Sequence, residues 1–413
     1  MSGQVLASEE IARLRAETPG CDHVVHFNYA GSALMPRPVV ETTIGYIRRE
    51  AEIGGYEAYD EALDRIEAVY DSIARLLRAR RNEIAVVENA TRAWDMAFYA
   101  IPFQPGDRIL TSVAEYHSNV IAFLQVAARG VSVEVVPNDE QGQLSVEALA
   151  GMIDERVRLI AVSHMPTNGG LVQPAEEIGK IARDAGALYL LDACQTAGQM
   201  PLDVDALGCD MLSATSRKYL RGPRGMGFLY VREPVIESLI PPLLDGHAAE
   251  WVAADRYVIR EDARRFENWE ADYAAKLGMG AAIDYALNVG LDRIWATVRQ
   301  RASELRSGLL AIPGVTVHDL GATKGGIVTF EVTGIPSDQV QQALHAMTIN
   351  TTTSSVASTR FDMEARGLER VVRASVHYVT TPEEIGLLVD AVGTLAEQGA
   401  GDERLQATGA AAG

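Results

Sequence analysis

Cysteine is scarce in this chain: only Cys21, Cys194 and Cys209 in 413 residues, with no even-numbered framework and no C-x-x-C pair. That excludes a disulfide-stapled fold and points to a reducing compartment. Basic residues are also few. With 37 Lys and Arg against 56 Asp and Glu, the formal net charge is -19, which argues against nucleic acid or an anionic membrane as partner, because both reward basic patches. No apolar run approaches the ~18 residues of a membrane span. The opening "MSGQVLASEEIARLRAETPG" puts acidic side chains where a signal peptide has its apolar core. A cytoplasmic protein whose partners are small molecules is expected.

What is present is an ordinary globular composition, 47% apolar, at a length that suggests two domains. Apolar runs of strand length alternate with helical patterns: "IAVV" (84–87), "RILTSV" (108–113), "VSVEVV" (131–136), "VRLIAVSH" (157–164), "ALYLLD" (187–192), "DMLSA" (210–214) and "GFLYV" (227–231). The pattern predicts an α/β fold with a large, mainly parallel sheet covered on both faces. Ligands of such sheets gather beyond the carboxyl ends of the strands, where Asn89, Glu115, His164, Asp192 and Ala214 fall. Residues 291–309 read as an amphipathic helix with Leu291, Ile294, Trp295, Val298, Ala302, Leu305 and Leu309 on one stripe. A smaller α+β unit follows, with strands near 327–332 and 371–376 and helices near 337–347 and 382–396. The tail "EQGAGDERLQATGAAAG" has little to bury and is expected to be disordered.

Three stretches carry chemistry. In "SATSRKYLRGPRGMGFLY", Lys218 stands between an apolar run and a glycine-studded turn, where an ammonium is costly unless it is paired or used covalently. In "LLDACQTAG", Asp192 ends a strand and needs a cationic or protonated partner, such as a pyridinium nitrogen. Alone it reads as a helix cap; joined to Lys218 in one crevice it does not. In "VVENATRAW", Asn89, Ala90 and Thr91 open a helix whose free N–H groups suit a phosphate, although every capped helix looks similar. Cys21, His23 and His26 have a loosely metal-like spacing but no second ligand cluster, so no metal site is expected.

These stretches together resemble the class V aminotransferase family of fold type I pyridoxal phosphate (PLP) enzymes, from "HFNYAGSALMP" to "RASVHYVTTPEE". The resemblance implies an N-terminal segment at the site entrance (1–35), a large PLP-binding domain (36–285), a small C-terminal domain (286–397) and a tail (398–413). It also implies that Lys218 bonds the cofactor covalently, Asp192 pairs with its ring nitrogen and Gln195 reaches its phenolic oxygen. Ala90, Thr91 and Thr215 would hold the phosphate, and Arg217 stands where many relatives carry a His. Arg373 in "VVRASVHY" matches the arginine that clamps the substrate carboxylate, though by itself it also reads as a solvated surface charge. Asn168 in "HMPTNGG" matches an asparagine between carboxylate and cofactor. Asn28, Tyr29, Tyr56 and Tyr59 would shape the substrate pocket, and the enzyme would be a homodimer.

The departures point to a branch. "AEYHSN" puts Tyr116 where desulfurases stack a His, and the loop "TTTSSVASTRFDMEARG" lacks the nucleophilic cysteine of desulfurases. "RRFENWEADYAAK" replaces the motif that usually supplies a threonine across the dimer, so the crossing residue is left open. The sequence is most similar to the C–S lyases that act on cysteine S-conjugates, as in ergothioneine biosynthesis, and implies β-elimination to pyruvate and ammonia. Decarboxylative deamination of an S-cysteine adduct as in lincosamide-type pathways, an aminotransferase or epimerase, and a non-catalytic PLP-binding dimer subunit are the alternatives.

Overall fold

The computed structural model describes residues 3–410. After a short strand, β1 (Val25–His26), the chain builds its main sheet from β2 (Ile84–Val87), β3 (Arg108–Ser112), β4 (Ser132–Val136), β5 (Val157–Ser163), β6 (Leu188–Asp192), β7 (Met211–Thr215) and β8 (Gly227–Val231). All seven predicted strands form, in the order β2-β8-β7-β6-β5-β3-β4. The pairs β3–β4, β3–β5, β5–β6 and β6–β7 are parallel, while β8 is antiparallel to both β7 and β2.

Continuous apolar runs form strands that must be covered on both faces. Neighbouring residues accordingly serve opposite sides: Leu191 and Phe228 join one core cluster, Leu190 and Leu229 the other. The strand order reverses between β3 and β5, and a crevice at the carboxyl ends there is where such sheets bind ligands.

Beyond the sheet the chain forms an exposed antiparallel hairpin, β9 (Ala249–Ala253) and β10 (Arg256–Ile259). The predicted helix forms as Leu291–Leu310 and buries Ile294, Val298, Ala302, Leu305 and Leu309. It packs on a second sheet made from β11 (Val315–Val317), β12 (Ile327–Val332), β14 (Thr352–Ser355) and β15 (Arg370–Ser375), while β13 (Ile349–Asn350) pairs in parallel with β1. Leu6, Ile11, Leu14 and Phe27 share the core of this unit, so the N-terminal segment is anchored to it. The last helix, Pro382–Ala410, carries helical structure through most of the stretch from 398 for which disorder is expected, and 411–413 lie outside the described residues. No helix of the described residues is long and apolar enough to cross a membrane.

Candidate active site

The ends of five strands and the turns that follow them enclose a cavity of about 260 Å³. The turn after β2 contributes Asn89, Ala90 and Thr91; the turn after β3, Tyr116; β5 and its following loop, Ser163, Met165 and Thr167; β6 and its turn, Asp192, Cys194 and Gln195; β7 and its turn, Thr215, Arg217 and Lys218. Most of the residues expected to hold the cofactor therefore meet in one place. They come from segments more than a hundred residues apart, united by the strand order.

At one end lies the start of the Ala90–Phe98 helix. The first N–H groups of a helix have no partner within it. Asn89 accepts the amide of Arg92 at 2.9 Å, leaving those of Ala90 and Thr91 at the cavity, helped by the helix dipole. Gly227 makes this approach possible: a Cβ there would lie 2.7 Å from Asn89 C and 2.8 Å from Ala90 N and Ala214 O. At the floor, Asp192 accepts from the Cys194 amide at 2.9 Å and from Asn119 Nδ2 at 3.3 Å, and among the described residues it forms no salt bridge. Gln195 Oε1 is buried without a donor.

Lys218 is half-buried. Burial lowers its pKa, and the nearby Cys194 and Asp192 oppose that shift. The effect is to raise the share of neutral, nucleophilic amine. Arg373, on β15, is buried and donates Nη1 to the Thr167 carbonyl (3.0 Å) and hydroxyl (2.6 Å), while its Nε lacks a partner. Burial, with a further contribution from Arg217, brings it down to about 10, so it stays charged at neutral pH. No carboxylate pairs with it among the described residues. Arg217 donates to the Gly31 carbonyl, and its own carbonyl accepts the Ala33 amide at 2.8 Å, which fastens the lysine turn to the N-terminal segment.

Some expected residues are not brought to the cavity. Asn168 gives its amide to Asp362 at 2.6 Å. Tyr29 is packed edge-on against His26 and beside His377, held in the core by those rings. Asn28 bridges to Ser375 with its Oδ1 buried and unpartnered. Tyr56 is 79% exposed on the Gly55–Leu77 helix, and Tyr59 packs against Tyr273. Conversely, Ser163, Met165 and Thr167 line the cavity without having been singled out. Their signal was position alone, at the end of β5 and just before Asn168.

The set fits PLP: free amides at a helix start for the phosphate, a carboxylate without a cation for the ring nitrogen, an unpartnered Gln195 oxygen beside it, and a lysine tuned toward its neutral form. The comparisons agree. The family model "Aminotransferase class-V" matches residues 25–388. A probable cysteine desulfurase of Methanothermobacter thermautotrophicus is 32% identical over 384 residues, 92% of this chain and 96% of that protein. The apo cysteine desulfurase of Thermococcus onnurineus NA1 superposes with a TM-score of 0.89 at 27% identity, covering 96% of this chain and 100% of that one. The cystine C–S lyase C-DES shares the fold, with a TM-score of 0.82 at 24% identity over 91% of this chain and 99% of that one. This chain belongs to the class-V aminotransferase family, and it is an enzyme whose cofactor is pyridoxal 5'-phosphate.

Proposed function

We propose that the enzyme is a PLP-dependent carbon–sulfur lyase that cleaves an S-substituted cysteine, or its sulfoxide, by β-elimination to pyruvate, ammonia and a sulfur-containing product. The setting is ergothioneine or related sulfur natural-product chemistry, in the cytoplasm. Lys218 would hold the cofactor covalently, Asp192 its ring nitrogen, Gln195 its phenolic oxygen, and Ala90, Thr91 and Thr215 its phosphate, with Arg217 alongside. Tyr116 would cover one face of the ring. When bound, PLP withdraws electrons from the substrate Cα.

Arg373 binds the substrate carboxylate with its unpaired guanidinium edge and so fixes the rotation of the amino acid about Cα. Lys218, released when the substrate's amino group takes its place on the cofactor and favoured as a neutral amine, would take the Cα proton. The Cβ–S bond then breaks with its electron pair leaving on sulfur, and water converts the three-carbon remainder to pyruvate and ammonia. Asn168, bonded to Asp362, ties the cavity wall to the Arg360–Ala365 helix.

The observation that carries elimination over desulfuration is the loop after β14. The Ser358 carbonyl accepts the His117 amide at 3.1 Å, which docks the loop beside Tyr116. Residues 351–367 offer Thr, Ser and Arg360 but no cysteine. Cys194 does line the cavity, yet burial and the adjacent Asp192 hold its thiol well above the ordinary range, so it stays protonated and a poor nucleophile. The desulfurase names of the relatives favour a second reading, sulfur transfer to an enzyme thiol, which in this cavity would fall to Cys194.

A homodimer is supported by apolar side chains left in solvent: Trp251 (75% exposed) and Tyr257 (58%) on the β9–β10 hairpin, and Trp269 (62%). Thr91 is exposed as well, so the phosphate end is open to a partner. The function is tested by supplying cysteine S-conjugates with alkyl, aryl and heteroaryl substituents, and their sulfoxides, and following pyruvate. At least one class should turn over; silence across all of them, with free cysteine consumed instead, would contradict the proposal.

A further inference from the structure

The reaction above leaves Glu115 without a role. It follows β3, is 1% exposed, and its carboxylate gathers five donors. Oε1 accepts from the Tyr116 amide (2.9 Å), Asn119 Nδ2 (2.8 Å) and the Ser163 hydroxyl; Oε2 accepts from the Ser163 amide (2.9 Å) and the Thr111 hydroxyl (3.2 Å). None of these donors is a cation. A buried carboxylate held by neutral donors alone is expensive, and packing would be served by an apolar side chain. Its donors, however, build the cavity: Tyr116 and Ser163 line it. The Asn119 nitrogen also reaches Asp192 Oδ2 at 3.3 Å, so one amide joins the two carboxylates.

We propose that Glu115 is a positioning residue for Asp192: it fixes Asn119 so that Asp192 faces the pyridine nitrogen, and its negative charge strengthens the hold of Asp192 on that nitrogen's proton. The inference rests on the role given to Asp192 above. The titratable groups around Glu115 are Asp192 and Tyr189 of β6, with Tyr116 and His117 at the start of the next helix. Ser163 of β5 and Thr111 of β3 bond it without titrating, and His164 is turned to Thr196. Burial raises the Glu115 carboxyl to about 7, with Asp192 adding to the rise and the donors from Ser163, Tyr116 and Asn119 opposing it. The extra charge beside Asp192 is therefore lost as the pH falls through neutrality.

The test is the pH titration of the visible PLP absorbance in the reconstituted protein. Removing a negative charge near a protonated chromophore lowers its midpoint, and Glu115→Gln should shift it down by about half a unit or more. If Asn119 carries the coupling, the same substitution in an Asn119→Ala background should shift it less. A Glu115→Gln protein that folds, binds PLP and titrates like the wild type overturns the inference, and so do effects of the two substitutions that simply add. Should Glu115→Gln fail to fold, Asn119→Ala alone, which leaves four of the five donors, must still move the midpoint, and an unmoved midpoint overturns the inference. A chromophore indifferent to Asp192→Asn would instead sink the role of Asp192 on which the inference rests.

Discussion

Gly227→Ala tests how the phosphate end of the cavity is built. The new Cβ would meet three backbone atoms, Asn89 C at 2.7 Å and Ala214 O and Ala90 N at 2.8 Å. None can swing aside as a side chain could, so β8 or the first turn of the Ala90–Phe98 helix has to move by roughly half an ångström. Overpacking of this kind costs ~1–3 kcal/mol, a drop of a few degrees in melting temperature for a chain of this size. The same displacement misaligns the Ala90 and Thr91 amides. Losing one hydrogen bond to a charged phosphate, ~1.5–3 kcal/mol, weakens PLP binding by roughly 10- to 100-fold. The assay is titration of apo protein with PLP by absorbance, beside a thermal melt. Gly386→Ala, where a Cβ meets nothing within 4 Å, is the control and should be neutral or stabilising by up to ~1 kcal/mol. A Gly227→Ala protein that binds PLP as tightly as the control would refute the cradle.

Lys218→Ala should still take up PLP but no longer become covalently labelled on borohydride reduction; a reduced adduct at another residue would remove Lys218 from its role. Arg373→Ala should raise KM for the amino acid by the ~2–5 kcal/mol of a severed charged contact while PLP affinity holds, and equal losses for both would place Arg373 elsewhere. His164, bonded to Thr196 at 3.1 Å and pushed by burial down to about 4, makes a stabilising contribution that is complete above the ordinary histidine range and lost as the pH falls toward 4. By pH 5 about 2 kcal/mol of it is gone. A His164→Asn protein should show a flatter dependence of unfolding free energy between pH 7.5 and 5, and an unchanged slope would count against the assignment.

The main sheet was legible because most of its strands are short apolar runs buried on both faces, the edge strand β4 excepted, and the Leu291–Leu310 helix because its stripe recurs at helical spacing. The β9–β10 hairpin was not, since "AEWVA" and "RYVI" leave Trp251 and Tyr257 in solvent and show no buried face. Nor was β14, whose "TTSS" carries no apolar signal and is defined by its pairing with β15. The terminal helix was cut short because composition beyond 397 offers no core-facing pattern. Within the site, Lys218, Asp192, Ala90 and Thr91 were marked by motif and strand end. Tyr116, Gln195, Thr215 and Arg217, named through the family resemblance, line the same cavity; the residues that missed it were decided by long-range contacts, since Asn168 is spent on Asp362, 194 residues away, and Tyr29 is drawn into the core by His26 and His377. Glu115 drew notice only as a strand end, because its meaning lies in Asn119 and Ser163, which bond it only in the fold.

The central claim is that sulfur leaves with its substituent and not onto the enzyme. The direct measurement is the carbon product formed from an S-substituted cysteine, followed in the wild type and in Cys21→Ser, Cys194→Ser and Cys209→Ser proteins, with protein thiols trapped by alkylation. Elimination predicts pyruvate and ammonia in equal amounts, no protein persulfide, and turnover that survives each replacement apart from packing effects at Cys194. Alanine as the product, with a persulfide on Cys194 and turnover lost in Cys194→Ser, would contradict it in favour of desulfuration; an aldehyde with carbon dioxide would contradict it in favour of decarboxylative deamination.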